Sequence, residues 1–269
     1  MPRRIERSDY YQKGDPINME LKHAVVLLSG GLDSSTLLYD YADLGYLIHA
    51  LSFDYGQRHR KELESAALLA HRAGARHSIV LLGTQAGLSA SIEPLAAILG
   101  PSSLTSNTPV PDGHYADESM KVTVVPNRNA IMLSIAYGVA VAEGAEVVAF
   151  AAHAGDHAIY PDCRPEFVAA LAAALTSGNR WDETTKTPRI ATPYLMSTKS
   201  DIAVKAQRLS VPIEDTWSCY KGGDVHCGTC GTCTERREAL IDAALITGRA
   251  DPTEYANLTT EFLEASGVQ

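Results

Sequence analysis

The stretch "VVLLSGGLDSSTLLYDYADLGY", Val25 to Tyr46, limits the fold more than any other. An apolar run stops at Ser29, two glycines and a polar turn follow, and helical spacing then resumes. The rhythm recurs. "LIHALSFDY" reads as a strand, "HRKELESAALLAHRAGA" as a helix and "RHSIVLL" as a strand. "RNAIMLSIAYGVAVAEGA" reads as a long apolar helix, "EVVAFAA" as a strand and "RPEFVAALAAALTSG" as a helix with Pro165 in its first turn. Strand–helix alternation of this kind builds a parallel sheet with both faces covered. The expected fold class is therefore α/β, a doubly wound parallel sheet.

At 269 residues the chain can hold one large domain or two small ones. No apolar run reaches the roughly 18 residues of a spanning helix, so no membrane partner is expected. The polar start "MPRRIERSDYYQKGDPINMELKH" lacks the apolar core of a signal peptide. Residues 1–22 are expected to be a flexible extension, 23–212 a nucleotide-binding α/β domain, and 213–269 a metal-binding module with a helical tail. The expected location is the cytoplasm. A formal net charge of −9 argues against an extensive nucleic-acid surface, which needs clustered Lys and Arg. It leaves room for a small anion in a local basic pocket. The insert "GPSSLTSNTPVPDGHYADESMK" is long enough to be either functional or disordered.

In parallel sheets, ligands bind beyond the carboxyl ends of the strands. "SGGLDSS" sits there. Gly30 and Gly31 permit a tight turn and close ligand approach, and successive N–H groups at a helix start form an anion nest. The alternative is a plain turn with Asp33 or Ser34 as N-cap. The Walker pattern and GxGxxG are both absent.

"SCYKGGDVHCGTCGTC" places Cys219, Cys227, Cys230 and Cys233 at C-x7-C-x2-C-x2-C. Four thiolates this close suit tetrahedral zinc in a closed, structural site. An iron–sulfur cluster uses the same ligand set, and disulfides suit the spacing poorly. His226 is an alternative ligand. Cys163 stands apart, as a small buried filler or a nucleophile.

Other segments carry charge to strand ends. "FDYGQRH" puts Arg58 and His59 at the sheet's carboxyl edge. "VPNRN" puts Arg128 at a helix start, with Asn127 or Asn129 as cap. "HAGDHAIYPDCRPEF" gathers His153, Asp156, His157, Tyr160, Asp162, Cys163 and Arg164 after a buried strand. Lys199, in the first turn of "STKSDIAVKAQRL", is electrostatically out of place unless an anion lies nearby.

"SGGLDSS" resembles the SGGxDS loop of the PP-loop ATP pyrophosphatases. Together with "FDYGQRH", "SSLTSNTPVPD", "VPNRNAIML", "YPDCRPEF" and "TWSCYKGGDVHCGTCGTC", in that order from Ala24 to about Glu238, the chain resembles the 7-cyano-7-deazaguanine synthase family within that group. Leu32 stands where a Gln is usual, and Asn127 where a Gly is usual. The resemblance implies an ATP-dependent carbon–nitrogen ligase. It would convert 7-carboxy-7-deazaguanine and ammonia to 7-cyano-7-deazaguanine through adenylated acid and amide, with Mg2+ on the phosphates, structural Zn2+ and a homodimer. The resemblance assigns nucleotide binding to Leu28, Ser29, Gly30, Gly31, Leu32, Asp33, Ser34 and Ser35, with Arg58 and His59. Catalysis falls to Asp33, Arg128 and Lys199, the acceptor to Arg128, Asp156, Tyr160, Asp162 and Arg164, and the metal to the four cysteines. A related ligase using another amine, such as a protein, and a tRNA-thiolating enzyme remain alternatives.

Overall fold

The computed structural model describes residues 22–57, 60–83 and 95–257. Arg58, His59 and nearly all of the expected N-terminal extension lie outside the described residues, as does the end of the tail. The elements are β1 (His23–Leu27), α1 (Leu32–Asp43), β2 (Leu47–Asp54), α2 (Lys61–Arg72), β3 (Arg76–Leu81), the short α3 (Leu95–Ile98), α4 (Arg128–Glu143), β4 (Val147–Ala149), α5 (Pro165–Gly178), β5 (Arg189–Ala191), α6 (Lys199–Arg208) and α7 (Gly231–Thr247).

All five strands are parallel, in the order β3-β2-β1-β4-β5. Period-two alternation in β1 decides the layers, because successive side chains leave a strand on opposite faces. Ala24, Val26 and Leu28 join Leu37 and Leu38 of α1 and Ala66 and Leu69 of α2 in one core. Val25 and Leu27 join Leu133, Ala136 and Tyr137 of α4, with Phe167 and Leu171 of α5 against them, in the other. The sheet is thus doubly wound, as its apolar strands require.

A third core joins Ala203, Val204 and Ala206 of α6 to Ala239, Leu240 and Ala243 of α7. The cysteine segment is therefore packed onto the α/β layers. The segment after α7 is no helix where it is described. It runs as a strap, with His226 pairing Tyr255 and the Ala256 N–H donating to the His226 carbonyl at 2.8 Å.

The long insert is ordered by burial. Leu104, Val110, Tyr115 and Met120 are buried, residues Glu118–Thr123 form a 3-10 turn, and Asp112 bridges to Cys230. Strand β5 escapes sequence reading because it is three residues long and only Ala191 is buried.

Candidate active site

Chain order reverses across β1, with β2 on one side and β4 on the other. This is the switch point where open parallel sheets hold their ligands. A cavity of about 1420 Å³, including its mouth, opens there. Its walls come from the segments after β1, β2 and β4, from the start of α6, and from the cysteine segment.

The β1–α1 loop supplies Leu28, Ser29, Gly31, Leu32, Asp33 and Ser34 to the wall; Gly30 and Ser35 stand behind it. Gly30 has φ +88°, and a Cβ there would lie 2.3 Å from the Glu62 carbonyl oxygen. The backbone of α2 by itself demands a glycine here. Gly31 occupies the N-cap position of α1, and no side chain caps the helix. The expected alternative of an Asp33 or Ser34 cap is not what forms. The Ser34 hydroxyl instead accepts the Ser29 N–H at 3.1 Å and meets the Ser29 hydroxyl at 3.0 Å. First-turn N–H groups without a side-chain cap are what an anion site requires.

Asp33 reaches across to α6, where Lys199 Nζ donates to its Oδ2 at 2.6 Å. Thr198 and Asp201 form a capping box at this helix start, so the backbone is satisfied and the Lys199 ammonium is free to turn inward. It also lies 3.5 Å from Glu235 on α7. Burial works against ionisation of Asp33, but Lys199 and then His153, at 3.9 Å, outweigh it and hold the carboxyl below its ordinary value. Burial pushes Glu235 up despite Lys199. Among the described residues Asp33 Oδ1 is buried without a hydrogen-bond partner. This orphaned oxygen fits a cation brought in with a ligand.

Arg128 opens α4 on the opposite wall. Asn127 before it has φ +56°. This left-handed conformation favours Gly and tolerates Asn, which accounts for Asn127 at a position where the resembled pattern has Gly. Neither Asn127 nor Asn129 caps the helix by its side chain. Asp162 does part of that work, its Oδ2 accepting the Asn129 N–H at 3.1 Å. Expected at the acceptor, Asp162 is off the wall among the described residues, and so is Arg164, whose Nε donates to the His157 carbonyl. Asp156 is on the wall, but it accepts the Tyr115 hydroxyl and the His153 N–H, each at 3.0 Å. Tyr160 lines the cavity with the Arg128 guanidinium 6.0 Å from its ring centre. Cys163 accepts the Asn129 side-chain amide at 3.2 Å, and burial drives its thiol far above the ordinary value. That suits filler better than a nucleophile.

The four cysteines converge, with all Sγ atoms within 4.8 Å of one another. Cys227 and Cys233 sulfurs are 3.8 Å apart, matching the edge of about 3.8 Å for a tetrahedron with metal–sulfur bonds near 2.3 Å. This space suits a single ion; a four-iron cube would hold the thiolates further apart. N–H groups of Thr229 and Cys230 donate to Cys227 sulfur at 3.4 and 3.3 Å, as thiolate ligands favour. No cysteine is bridged by a disulfide. His226 is not among the ligands; its Nε2 accepts the Ser218 N–H at 3.2 Å and its ring lies 4.4 Å from Trp217.

The module reaches the site through its neighbours. The Trp217 N–H donates to the Gly30 carbonyl at 2.8 Å, and Trp217, Tyr220 and Glu235 line the cavity. Sequence reading missed these three, together with Tyr55, Glu62 and Tyr115. Glu235 follows the last cysteine by two residues, the only local signal it carries. Glu62 looks like an ordinary first-turn acid.

The protein-family model described as queuosine biosynthesis protein QueC matches residues 23–244. A 7-cyano-7-deazaguanine synthase of Ruegeria pomeroyi is 49% identical over 90% of this chain and 97% of its own length. The Paracoccus denitrificans protein of that name is 48% identical over 86% of this chain and 92% of its own. The 7-cyano-7-deazaguanine synthase 1 of Mesorhizobium japonicum is 51% identical over 87% and 93%. With its parallel sheet, its SGGLDSS loop at the switch point and its four-cysteine cluster, the chain belongs to the queuosine biosynthesis protein QueC family.

Proposed function

We propose that the chain is an ATP-dependent carbon–nitrogen ligase that makes 7-cyano-7-deazaguanine from 7-carboxy-7-deazaguanine and ammonia. The observation that supports this reading best is one cavity holding both an anion loop and a facing cation. Asp33 and Lys199 stand on one wall; Arg128 and Tyr160 stand on another. A single site with both can activate a carboxylate and then use it.

In this reading Ser29, Gly31, Ser34 and the first-turn N–H groups of α1 take the nucleotide phosphates, with Lys199 as their cation. Leu28 and Leu32 shape the wall beside them. Asp33, with its orphaned Oδ1, would hold Mg2+, which neutralises charge on the departing pyrophosphate. Arg128 meets the acceptor carboxylate and Tyr160 packs on its ring. AMP transfers to the carboxylate, and ammonia displaces it to give the amide. A second AMP transfer to the amide oxygen, followed by loss of AMP, leaves the nitrile. Asp156 holds Tyr115 and His153 in place rather than meeting the acceptor directly.

The cysteines would bind one Zn2+ with no open position, giving it a structural part. Among the described residues no helix is long and apolar enough to cross a membrane; a cytoplasmic homodimer completes the proposal. The test is incubation with 7-carboxy-7-deazaguanine, ATP, Mg2+ and ammonium. Mass spectrometry should find the nitrile, with AMP and pyrophosphate released. Product carrying another amine, or no ATP use dependent on the acid, would sink the reading.

A further inference from the structure

Glu62 is half-buried on the cavity wall, and neither Asp162 nor Asp156 is free to do what its carboxylate could do. It sits in the first turn of α2, held there by the approach of Gly30 to its own carbonyl. Among the described residues its carboxylate receives no hydrogen bond. Among the described residues the charged and titratable groups it interacts with include Arg128, Tyr55 and Tyr220, and all three line the same cavity. A half-buried carboxylate on a cavity wall with no donor is costly unless a ligand supplies one.

The acceptor supplies two. Around its rim a 7-carboxy-7-deazaguanine presents the carboxylate, the ring carbonyl oxygen, a ring N–H and an exocyclic amino group, in that order. The first two accept hydrogen bonds and the last two donate them. Arg128 is all donor and ionised Glu62 all acceptor; both line the one cavity, close enough for the Arg128 charge to act on the Glu62 carboxyl. An adenine edge offers one donor beside one acceptor, which a carboxylate complements poorly.

Resting on the function proposed above, we propose that Glu62 is the specificity-determining residue for the acceptor. Its carboxylate takes the ring N–H and the exocyclic amine, while the neighbouring Arg128 takes the ring carbonyl and the carboxylate. Tyr55, Tyr160 and Tyr220 supply the surrounding aromatic walls. Burial raises Glu62 to about 7, against the pull of Arg128. Donors from the acceptor favour the ionised form, so acceptor binding takes up this strain.

The test compares 7-carboxy-7-deazaguanine with its analogue lacking the exocyclic amine, in wild type and in Glu62→Gln. The wild type should prefer the full acceptor by about 10- to 100-fold in kcat/KM, the range for a charge-assisted hydrogen bond. Glu62→Gln should lose most of that preference, raise the KM for the acceptor and leave the KM for ATP unchanged. A wild type that does not discriminate overturns the proposal without reference to any variant. So does a Glu62→Gln enzyme that keeps the full preference, or one whose defect lies in ATP. No turnover of either acid by wild type would instead remove the functional reading on which the proposal stands.

Discussion

The β1–α1 loop and the cysteine segment are both short, polar and rich in glycine, yet they are ordered by different means. The loop is held by its surroundings: a buried strand behind it, the α2 backbone against Gly30, and the Trp217 N–H on the Gly30 carbonyl. Its own polar groups, Asp33 and the first-turn N–H groups, are left to face the cavity. In the cysteine segment the polar groups face one another. The sulfurs crowd within 4.8 Å, and Gly222, Gly223 and Gly228 all have positive φ, so that the chain can wrap around them. A segment whose ligating atoms are consumed internally can act on the chemistry only by placing its neighbours. Here these are Trp217, Tyr220 and Glu235.

Removing the metal should break this contrast most severely. Structural zinc sites of this kind carry about 10–16 kcal/mol of binding free energy that is also folding free energy. Chelation, or Cys230→Ser, should lower Tm by on the order of 10 °C or more, and activity should fall only as Trp217 and Glu235 lose their places. Metal analysis should give one zinc per chain. A Cys230→Ser protein with wild-type Tm and no turnover would put the cluster in the chemistry and reverse the comparison.

Lys199→Ala tests the loop side. It removes the ammonium between Asp33 and Glu235 and leaves two partly buried carboxylates together. Breaking a buried pair costs about 3–5 kcal/mol, and a partly exposed one less; with Lys199 on the phosphates as proposed, its loss should also lower kcat by about 10²–10³. The pH dependence has a definite sign. In wild type the Asp33 carboxyl is held below its ordinary value. Its contribution is therefore complete above the ordinary carboxylate range and is lost as pH falls through the depressed folded value. Without Lys199, burial is the largest remaining influence and raises the folded value, so the share of the acid loss that Asp33 causes should shrink and, once the folded value passes the ordinary one, reverse. An unchanged acid limb in chemical denaturation would show that Lys199 does not set Asp33.

Gly30→Ala should act through packing alone. The added Cβ meets the Glu62 carbonyl at 2.3 Å, and φ is +88°, so strain and clash add to about 2–4 kcal/mol. The loop and the start of α2 must separate, and ATP and acceptor affinity should fall together. A loss confined to ATP would mean that Gly30 serves the ligand directly, as its sequence context led one to expect.

These cases mark how far the sequence could be read. The layers were legible because continuous apolar strand runs alternate along the chain with helices of apolar spacing. The loop, the cysteines and the isolated Lys199 were legible because each residue type is out of place without a ligand or partner. Asp162 was harder to read. It stands in a polar cluster after a strand, and nothing local tells whether its oxygens face a cavity or the N–H groups of another helix; the Asn129 N–H decides that. Glu62 and Glu235 were hidden for the converse reason. An acid near a helix start is ordinary, Glu62 in the first turn of α2 and Glu235 just past that of α7, and only the tertiary approach of α2 to the loop and of α7 to α6 turns each inward.

The smallest expected effect sharpens the comparison where loop and helix meet. Glu62 is pushed from an ordinary 4.5 to about 7, chiefly by burial. The unfolded chain therefore releases this proton at lower pH than the folded one does. Between these values the folded state binds more protons, so stability falls as pH rises through the window and stays lowered above it. Glu62→Gln removes the titrating group. The ligand-free variant should match wild type below about pH 4.5 and exceed it in stability above about pH 7. The difference should be at most a few kcal/mol, and smaller if water screens the carboxylate. Saturating acceptor should reverse the order, since only the carboxylate gains its two donors. Urea titrations across that range, with and without acceptor, measure both. A variant less stable than wild type at every pH would mean that Glu62 is already paired within the protein. The strain would then have to lie elsewhere in the loop.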